Sequence, residues 1–222
     1  MVFGNTKNQD CHIHINNVEI DEVKSAKFLG VQIDNKLTWS TQIKHVQSKI
    51  SKSISIMYKV KHLLDTTALL TLYNSLVLPY LNYCVEVWGN TYPTNLARII
   101  KLQKRAVRII GNLEYTGHTN PVFIVLKLLK FEDIVKINTG VVMFKAFNGR
   151  LSEHFIVSFT NTRQKMNFYV KPKRTRLKAF CISCCGVSLW NNLNIGIRRS
   201  KTIVLFKKEF KKMCINTYSN SV

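Results

Sequence analysis

The hydrophobic period of this chain changes once, near residue 40, and that change limits the fold more than any other feature. Before it, apolar and polar residues alternate. His12-Ile13-His14-Ile15 runs outward, Asn16-Asn17 marks a turn, and Val18-Glu19-Ile20 runs back, which is the pattern of a β-hairpin. Lys27 to Ile33 reads as a second strand, and Gly30 inside it marks a bulge or a close backbone approach. After residue 40, Ile43, Val46, Ile50, Ile54, Met57, Val60 and Leu64 recur at helical spacing and form one apolar stripe, with Ser40 as N-cap. A period of two puts alternate residues on opposite faces, whereas a period of 3.6 gathers them on one. A short β element followed by helices is therefore expected.

The helical pattern continues. Thr66 or Thr67 opens a second helix that runs to about Leu78, where Pro79 stops it. Residues 94 to 110 give the cleanest amphipathic helix, capped by Thr94 or Asn95 and stopped at Gly111. Leu96, Ile99, Ile100, Gln103, Ala106, Val107 and Ile110 form one face of it. Lys101, Lys104, Arg105 and Arg108 form another, spaced i, i+3, i+4, i+7, so four cations project from one side. A further helix begins near Glu132-Asp133, whose acids suit a positive N-terminal end, and reaches Phe147 before Asn148-Gly149 breaks it. Residues 150 to 179 read as an extended connector carrying the run Lys171-Pro172-Lys173-Arg174-Thr175-Arg176, which is not expected to be helical. A short segment around Val187 to Leu193 follows. A basic helix from Thr202 to Met213 then carries Phe206, Phe210 and Met213 on one side.

Charge narrows the partner. The 222 residues carry a formal net charge of +21, yet 46% of them are hydrophobic, so the chain is both foldable and strongly basic. The excess is concentrated: residues 160 to 222 hold 14 Lys and Arg against one acid, Glu209. Such an imbalance favours contacts with a polyanion, nucleic acid or an anionic membrane surface. The row at Lys101 to Arg108 is single-signed, without the interleaved Glu of a helix laced with ion pairs.

No apolar run reaches the length of about 18 to 20 residues that a membrane span needs. The first residues lack the basic and apolar regions of a signal peptide. An intracellular address is expected, nucleus or cytoplasm being left open, with reduced cysteines.

Chemistry is harder to place. Asp21-Glu22 and Glu132-Asp133 read as a turn and a helix start rather than as paired carboxylates for metal ions. No GxxxxGK[ST] or GxGxxG loop is present. Cys181-Ile-Ser-Cys184 has zinc-ligand spacing but lacks a second pair, so Cys181, Cys184, Cys185 and Cys214 read as small buried thiols. His12 and His14 read as ordinary strand residues. Trp39, Trp88 and Trp190 read as core residues rather than base-stacking ones. No catalytic residue, metal ligand or cofactor is assigned.

An ordered series of blocks then carries a resemblance. It begins with Phe28-Leu29-Gly30-Val31-Gln32-Ile33-Asp34 and Leu37-Thr38-Trp39. It continues with Leu72-Tyr73-Asn74-Ser75-Leu76-Val77-Leu78-Pro79-Tyr80-Leu81-Asn82-Tyr83 and Val87-Trp88-Gly89-Asn90. Leu102-Gln103-Lys104-Arg105-Ala106-Val107-Arg108-Ile109-Ile110 and His118-Thr119-Asn120-Pro121 come next. Asn161-Thr162-Arg163-Gln164, Gly186-Val187-Ser188-Leu189-Trp190-Asn191 and Leu205-Phe206-Lys207-Lys208 complete it. In this order the blocks resemble the C-terminal region of jockey-like non-LTR retrotransposon reverse transcriptases.

The resemblance implies an α+β fold, mainly α, in three parts: palm-end strands over 1–38, a thumb-like helical bundle over 39–149, and a basic connector and extension over 150–222. It implies that Phe28, Leu29 and Gly30 belong to a hairpin gripping a primer end. It further implies that the thumb-like helices track template–primer through phosphates, a role suited to Lys101, Lys104, Arg105 and Arg108, aided by Lys171, Lys173, Arg174 and Arg176. RNA, DNA or an RNA–DNA hybrid would be the partner, together with the fingers and palm of a full-length enzyme, which would use magnesium. The family's polymerase needs an Asp-Asp pair, and this chain has none. It is therefore expected to be inactive alone and to hold no cofactor. Met1 then reads as an internal methionine of a truncated or decayed element. The alternative is an inert or partner-binding remnant with no selected activity.

Overall fold

The hairpin expected around Asn16-Asn17 is formed. In a computed structural model that describes Met1, Phe3 and residues 13–152 and 166–219, β1 (Ile13–Ile15) pairs antiparallel with β2 (Val18–Ile20), placing His14 opposite Glu19. Asn16 and Asn17 both take positive φ, 52° and 62°, as a two-residue hairpin turn requires and as Asn tolerates. Cys11, His12 and the block Asn161-Thr162-Arg163-Gln164 lie outside the described residues.

The segment read as one strand with Gly30 inside it is instead a second hairpin. β3 (Ser25–Phe28) turns at Leu29-Gly30 and returns as β4 (Val31–Asp34), with Phe28 opposite Val31. Leu29 and Gly30 have φ of 45° and 82°. The glycine serves a reversal rather than a bulge, because two consecutive positive φ values close a tight turn whose twist matches the strands.

Asp34, at the end of β4, joins the β element to the helices. Its carboxylate accepts from Thr38 N at 2.9 Å, from the Thr38 hydroxyl at 3.2 Å and from Trp39 N at 2.7 Å. α1 (Ser40–Val60) follows directly. Ser40 is its first helical residue and not its N-cap; Trp39 occupies that position with φ 63° and no side-chain cap bond. The donors just ahead of the helix are already taken by Asp34. Ile43, Val46, Ile50, Ile54 and Met57 of the expected stripe are buried, Val60 is half-buried, and Leu64 lies beyond the helix end and is exposed.

α2 (Thr66–Leu76) is capped by Asp65, whose side chain accepts from Ala68 N at 2.9 Å. Pro79 does not simply end that helix. It sits in the first turn of α3 (Leu78–Asn82), where its missing N–H costs nothing. α4 (Val85–Trp88) leads to α5 (Pro93–Ile110), which is likewise opened by a proline, with Tyr92 at the cap in place of Thr94 or Asn95. α6 (Asn120–Val125) and α7 (Phe131–Phe147) follow.

After the connector come α8 (Arg176–Phe180), α9 (Ile182–Asn192), α10 (Ile195–Arg198) and α11 (Ile203–Ser219). Lys171 to Arg174 are non-helical as expected, but Arg176 is not part of that run: Thr175 caps α8 by accepting from Lys178 N at 3.2 Å, and Arg176 opens the helix. The fold is thus mainly α with a small N-terminal β element. Among the described residues no helix is long and apolar enough to cross a membrane.

Two apolar clusters form. In the first, the α1 stripe packs against Leu96, Ile99, Val107 and Ile110 of α5, with Tyr73, Trp88 and Phe131 closing it. In the second, Val141 and Phe144 of α7 meet Trp190 of α9 and Phe206 and Phe210 of α11. The ring centroids of Phe144 and Phe206 are 4.9 Å apart, and those of Trp190 and Phe206 are 6.2 Å apart. Trp88 and Trp190 are wholly buried core residues, and Trp39 is half-buried against the edge of the first cluster. Gly140 lets α11 approach α7 closely, since a Cβ there would stand 2.8 Å from Phe210 Cε1.

α7 is apolar around most of its circumference and serves both clusters. α11 also returns to the first. Tyr218 Oη donates to Asp133 Oδ2 at 2.5 Å and accepts from Lys130 N at 3.0 Å. The Lys130 ammonium stands 4.3 Å from the Tyr218 ring centre, and Lys136 pairs with Asp133 at 2.8 Å. Cys184 and Cys214 are buried as expected, but Cys181, at the start of α9, is exposed, and Cys185 is half-buried with its thiol donating to Phe180 O at 3.2 Å.

Two predictions follow from this packing. Asp34→Ala removes three accepted hydrogen bonds at the junction of β4 and α1, and is expected to lower unfolding free energy by about 1–3 kcal/mol in urea titrations. The second concerns pH. Burial, and secondarily the Asp133 carboxylate, push the Cys214 thiol up from 9.0 to about 12. A raised folded value means that this contribution is complete below pH 9 and is lost as pH rises from 9.0 to about 12. The urea midpoint should fall across that window, and Cys214→Ala should make the fall shallower.

Candidate nucleic-acid interface

α5 is locked in rotation by one buried polar residue. Gln103 lies in the middle of its apolar face and is only 1% exposed. Its Nε2 donates to Tyr73 Oη and to Leu129 O, both at 2.9 Å, and its Oε1 accepts from Phe131 N at 2.7 Å. This explains a glutamine among apolar neighbours: it pairs donors and acceptors that would otherwise be stranded between α2, α5 and the start of α7.

With that face fixed inward, the cations face outward. Lys101, Lys104 and Arg105 are exposed, and Arg108 is half-buried, its Nε donating to Gly117 O at 3.0 Å. Arg98, one turn ahead of Lys101 and equally exposed, extends the row. It escaped the sequence reading although it keeps the same i, i+3 spacing. From Arg98 to Arg108 the row runs about 15 Å, the length of roughly four base-pair steps of duplex.

These cations line an open groove of about 610 Å³ together with Tyr115 and Thr116. Among the described residues no carboxylate lies within ion-pair distance of the row; ion pairing there joins Lys136 to Asp133. Tyr115 is a further aromatic at this groove, beyond the three tryptophans considered as stacking candidates from sequence. Its signal was an aromatic in a glycine-closed turn directly after the basic helix.

The other expected contacts lie elsewhere. Phe28 and Leu29 sit at the tip of the second hairpin, 64% and 75% exposed. Tyr83 Oη donates to Leu29 O at 2.6 Å, fixing the turn to the helical bundle just past α3. A Cβ on Gly30 would stand 3.3 Å from Tyr83 Cε1, so backbone and ring approach closely there. Behind the turn is an open pocket of about 390 Å³, lined by Gly30, Gln42, Val46, Leu76, Tyr80 and Tyr83 among others. Lys173, Arg174 and Arg176 are exposed and Lys171 is half-buried. Their segment leads into α8, whose Phe180 meets Tyr92 edge-on at 4.9 Å, at the N-terminal end of α5.

The structure therefore brings Lys101, Lys104, Arg105 and Arg108 into one groove. Neither Phe28 to Gly30 nor Lys171 to Arg176 lines it. Among the described residues there is no group of three or more His, Cys, Asp or Glu suited to a metal ion.

Replacing Gln103 with Ala would leave the Phe131 amide and the Leu129 carbonyl without this partner. The expected cost is about 1–3 kcal/mol per stranded group, read as a lower thermal midpoint.

No protein-family model matches the chain, and no solved structure matches it. Curated relatives do. The chain is 25% identical over 128 residues to the probable RNA-directed DNA polymerase from transposon X-element of Drosophila melanogaster, which covers 56% of this chain and 14% of that protein. It is 29% identical over 109 residues to the probable RNA-directed DNA polymerase from transposon BS of the same species, covering 46% and 12%. It is 26% identical over 150 residues to the RNA-directed DNA polymerase from mobile element jockey of Drosophila funebris, covering 66% and 16%. These alignments span between 12% and 16% of the relatives' length. Over about half its length, the chain is thus similar to RNA-directed DNA polymerases of non-LTR retrotransposons, the family that its ordered motifs resemble.

Proposed function

We propose that this chain binds template–primer or RNA without sequence preference, through the cation row of α5. The observation that carries the proposal is the single-signed row from Arg98 to Arg108, held in one groove on a helix whose opposite face is locked into the core. Fixed cations of one sign, free of carboxylate partners among the described residues, meet a polyanion without first breaking ion pairs. Lys101, Lys104 and Arg105 supply the main phosphate contacts. Arg108 is partly committed to the Gly117 carbonyl and positions the rim of the groove.

Lys171, Lys173, Arg174 and Arg176 extend the contact near the start of α5, where Phe180 of α8 meets Tyr92. The exposed Phe28-Leu29-Gly30 turn approaches a primer end in the manner that the family resemblance implies. The proposed role rests on the cations of α5 and draws on no carboxylate pair.

Affinity for a labelled RNA–DNA hybrid, measured at several salt concentrations, tests this. Log affinity should fall linearly with log salt, and the triple variant K101E/K104E/R105E should bind much more weakly and flatten the slope by about 0.7–0.9 per lost contact. A triple variant that stays folded by circular dichroism and binds like the wild type would remove α5 from the interface.

A further inference from the structure

We infer that Tyr115 is a base-stacking residue, and that the α5 groove therefore takes an unpaired stretch of nucleic acid in preference to a blunt duplex. This rests on the phosphate-binding reading of the same groove. Tyr115 is 85% exposed, the highest value among the large apolar or aromatic side chains of the described residues. No ring or cation stacks on it there, and its hydroxyl has no hydrogen-bond partner there. A bulky ring left open to water beside a row of cations has both faces available to a ligand.

Its backbone is held. Gly117 N donates to Glu114 O at 3.0 Å, closing a turn with Tyr115 and Thr116 at its centre. The carbonyl of the same Gly117 accepts from Arg108 Nε at 3.0 Å, which ties the turn to the helix that carries the cations. Leu113 N donates to Arg108 O at 2.9 Å, a second tie on the near side. The ring is thus presented at a set place along the row, and the groove that the cations line includes it.

Cations that follow a backbone, with an aromatic ring beside them, are the arrangement that binds single strands. Every unpaired base has a π-face to offer, so the contact is tolerant of sequence. Bases inside a duplex are already stacked on one another and have no face free for Tyr115.

Fluorescence anisotropy tests this with the full chain, a labelled single-stranded RNA and a blunt RNA–DNA hybrid of equal length. Tyr115→Ala should weaken single-strand binding about 10-fold while leaving hybrid binding and the salt slope nearly unchanged; Tyr115→Trp should keep single-strand affinity. The inference is overturned if Tyr115→Ala binds the single strand like the wild type, or if both ligands lose equally. If K101E/K104E/R105E abolishes binding while Tyr115→Ala costs nothing, the stacking role alone falls. If neither variant changes binding, the phosphate reading falls with it.

Discussion

Gln103 decides where the surface of this protein points. A helix with apolar residues on one side can rotate several degrees and still bury them, because dispersion contacts are not directional. A single amide that donates to Tyr73 and Leu129 and accepts from Phe131 removes that freedom. It also joins α2, α5 and the start of α7 at one buried point. Once that point is set, the direction of Lys101, Lys104 and Arg105 follows from helix geometry alone. A polar core residue thus governs an outer face that it never touches.

α7 extends the same order to the C-terminal segment. Its first turns close the first cluster through Phe131 and Ile134, and its later turns open the second through Val141 and Phe144. The strongly basic end of the chain is therefore packed and not a loose tail over its described residues. Phe206, Phe210, Cys214 and Tyr218 face inward along α11, while Lys207, Lys208, Lys211 and Lys212 face outward. Charge and core are separated by helix period rather than by position in the chain.

The sequence made the long elements readable and left the junctions obscure, for physical reasons. The stripe of α1 and the two faces of α5 repeat at 3.6 over many residues, so no single position has to be right. Asn16-Asn17 was readable because few residues accept two positive φ values in succession. Leu29-Gly30 was not, because leucine is a poor marker of positive φ, and an unbroken apolar run hides a two-residue reversal. Ser40 looks like a cap from its near neighbours alone, whereas Asp34 reaches across five residues to the donors that matter. Pro79 and Pro93 look the same in sequence whether they end a helix or begin one. In the site, the cation row was legible from spacing. Tyr115 was not, since its place depends on a turn closed by Gly117 and tied to Arg108.

Tyr218 adds a constraint in time. Its ring is packed into a cluster whose other members come mostly from residues 31 to 135, and its hydroxyl bonds to Asp133, 85 positions earlier. A ribosome delivers those earlier residues first. The N-terminal helices can form as they emerge, yet their shared interior stays open on one side until residue 218 has been made and α11 has swung back over α6 and α7. Contacts of such long sequence separation close slowly. During synthesis Phe123 and Lys130 are consequently made well before the Tyr218 ring that packs on both.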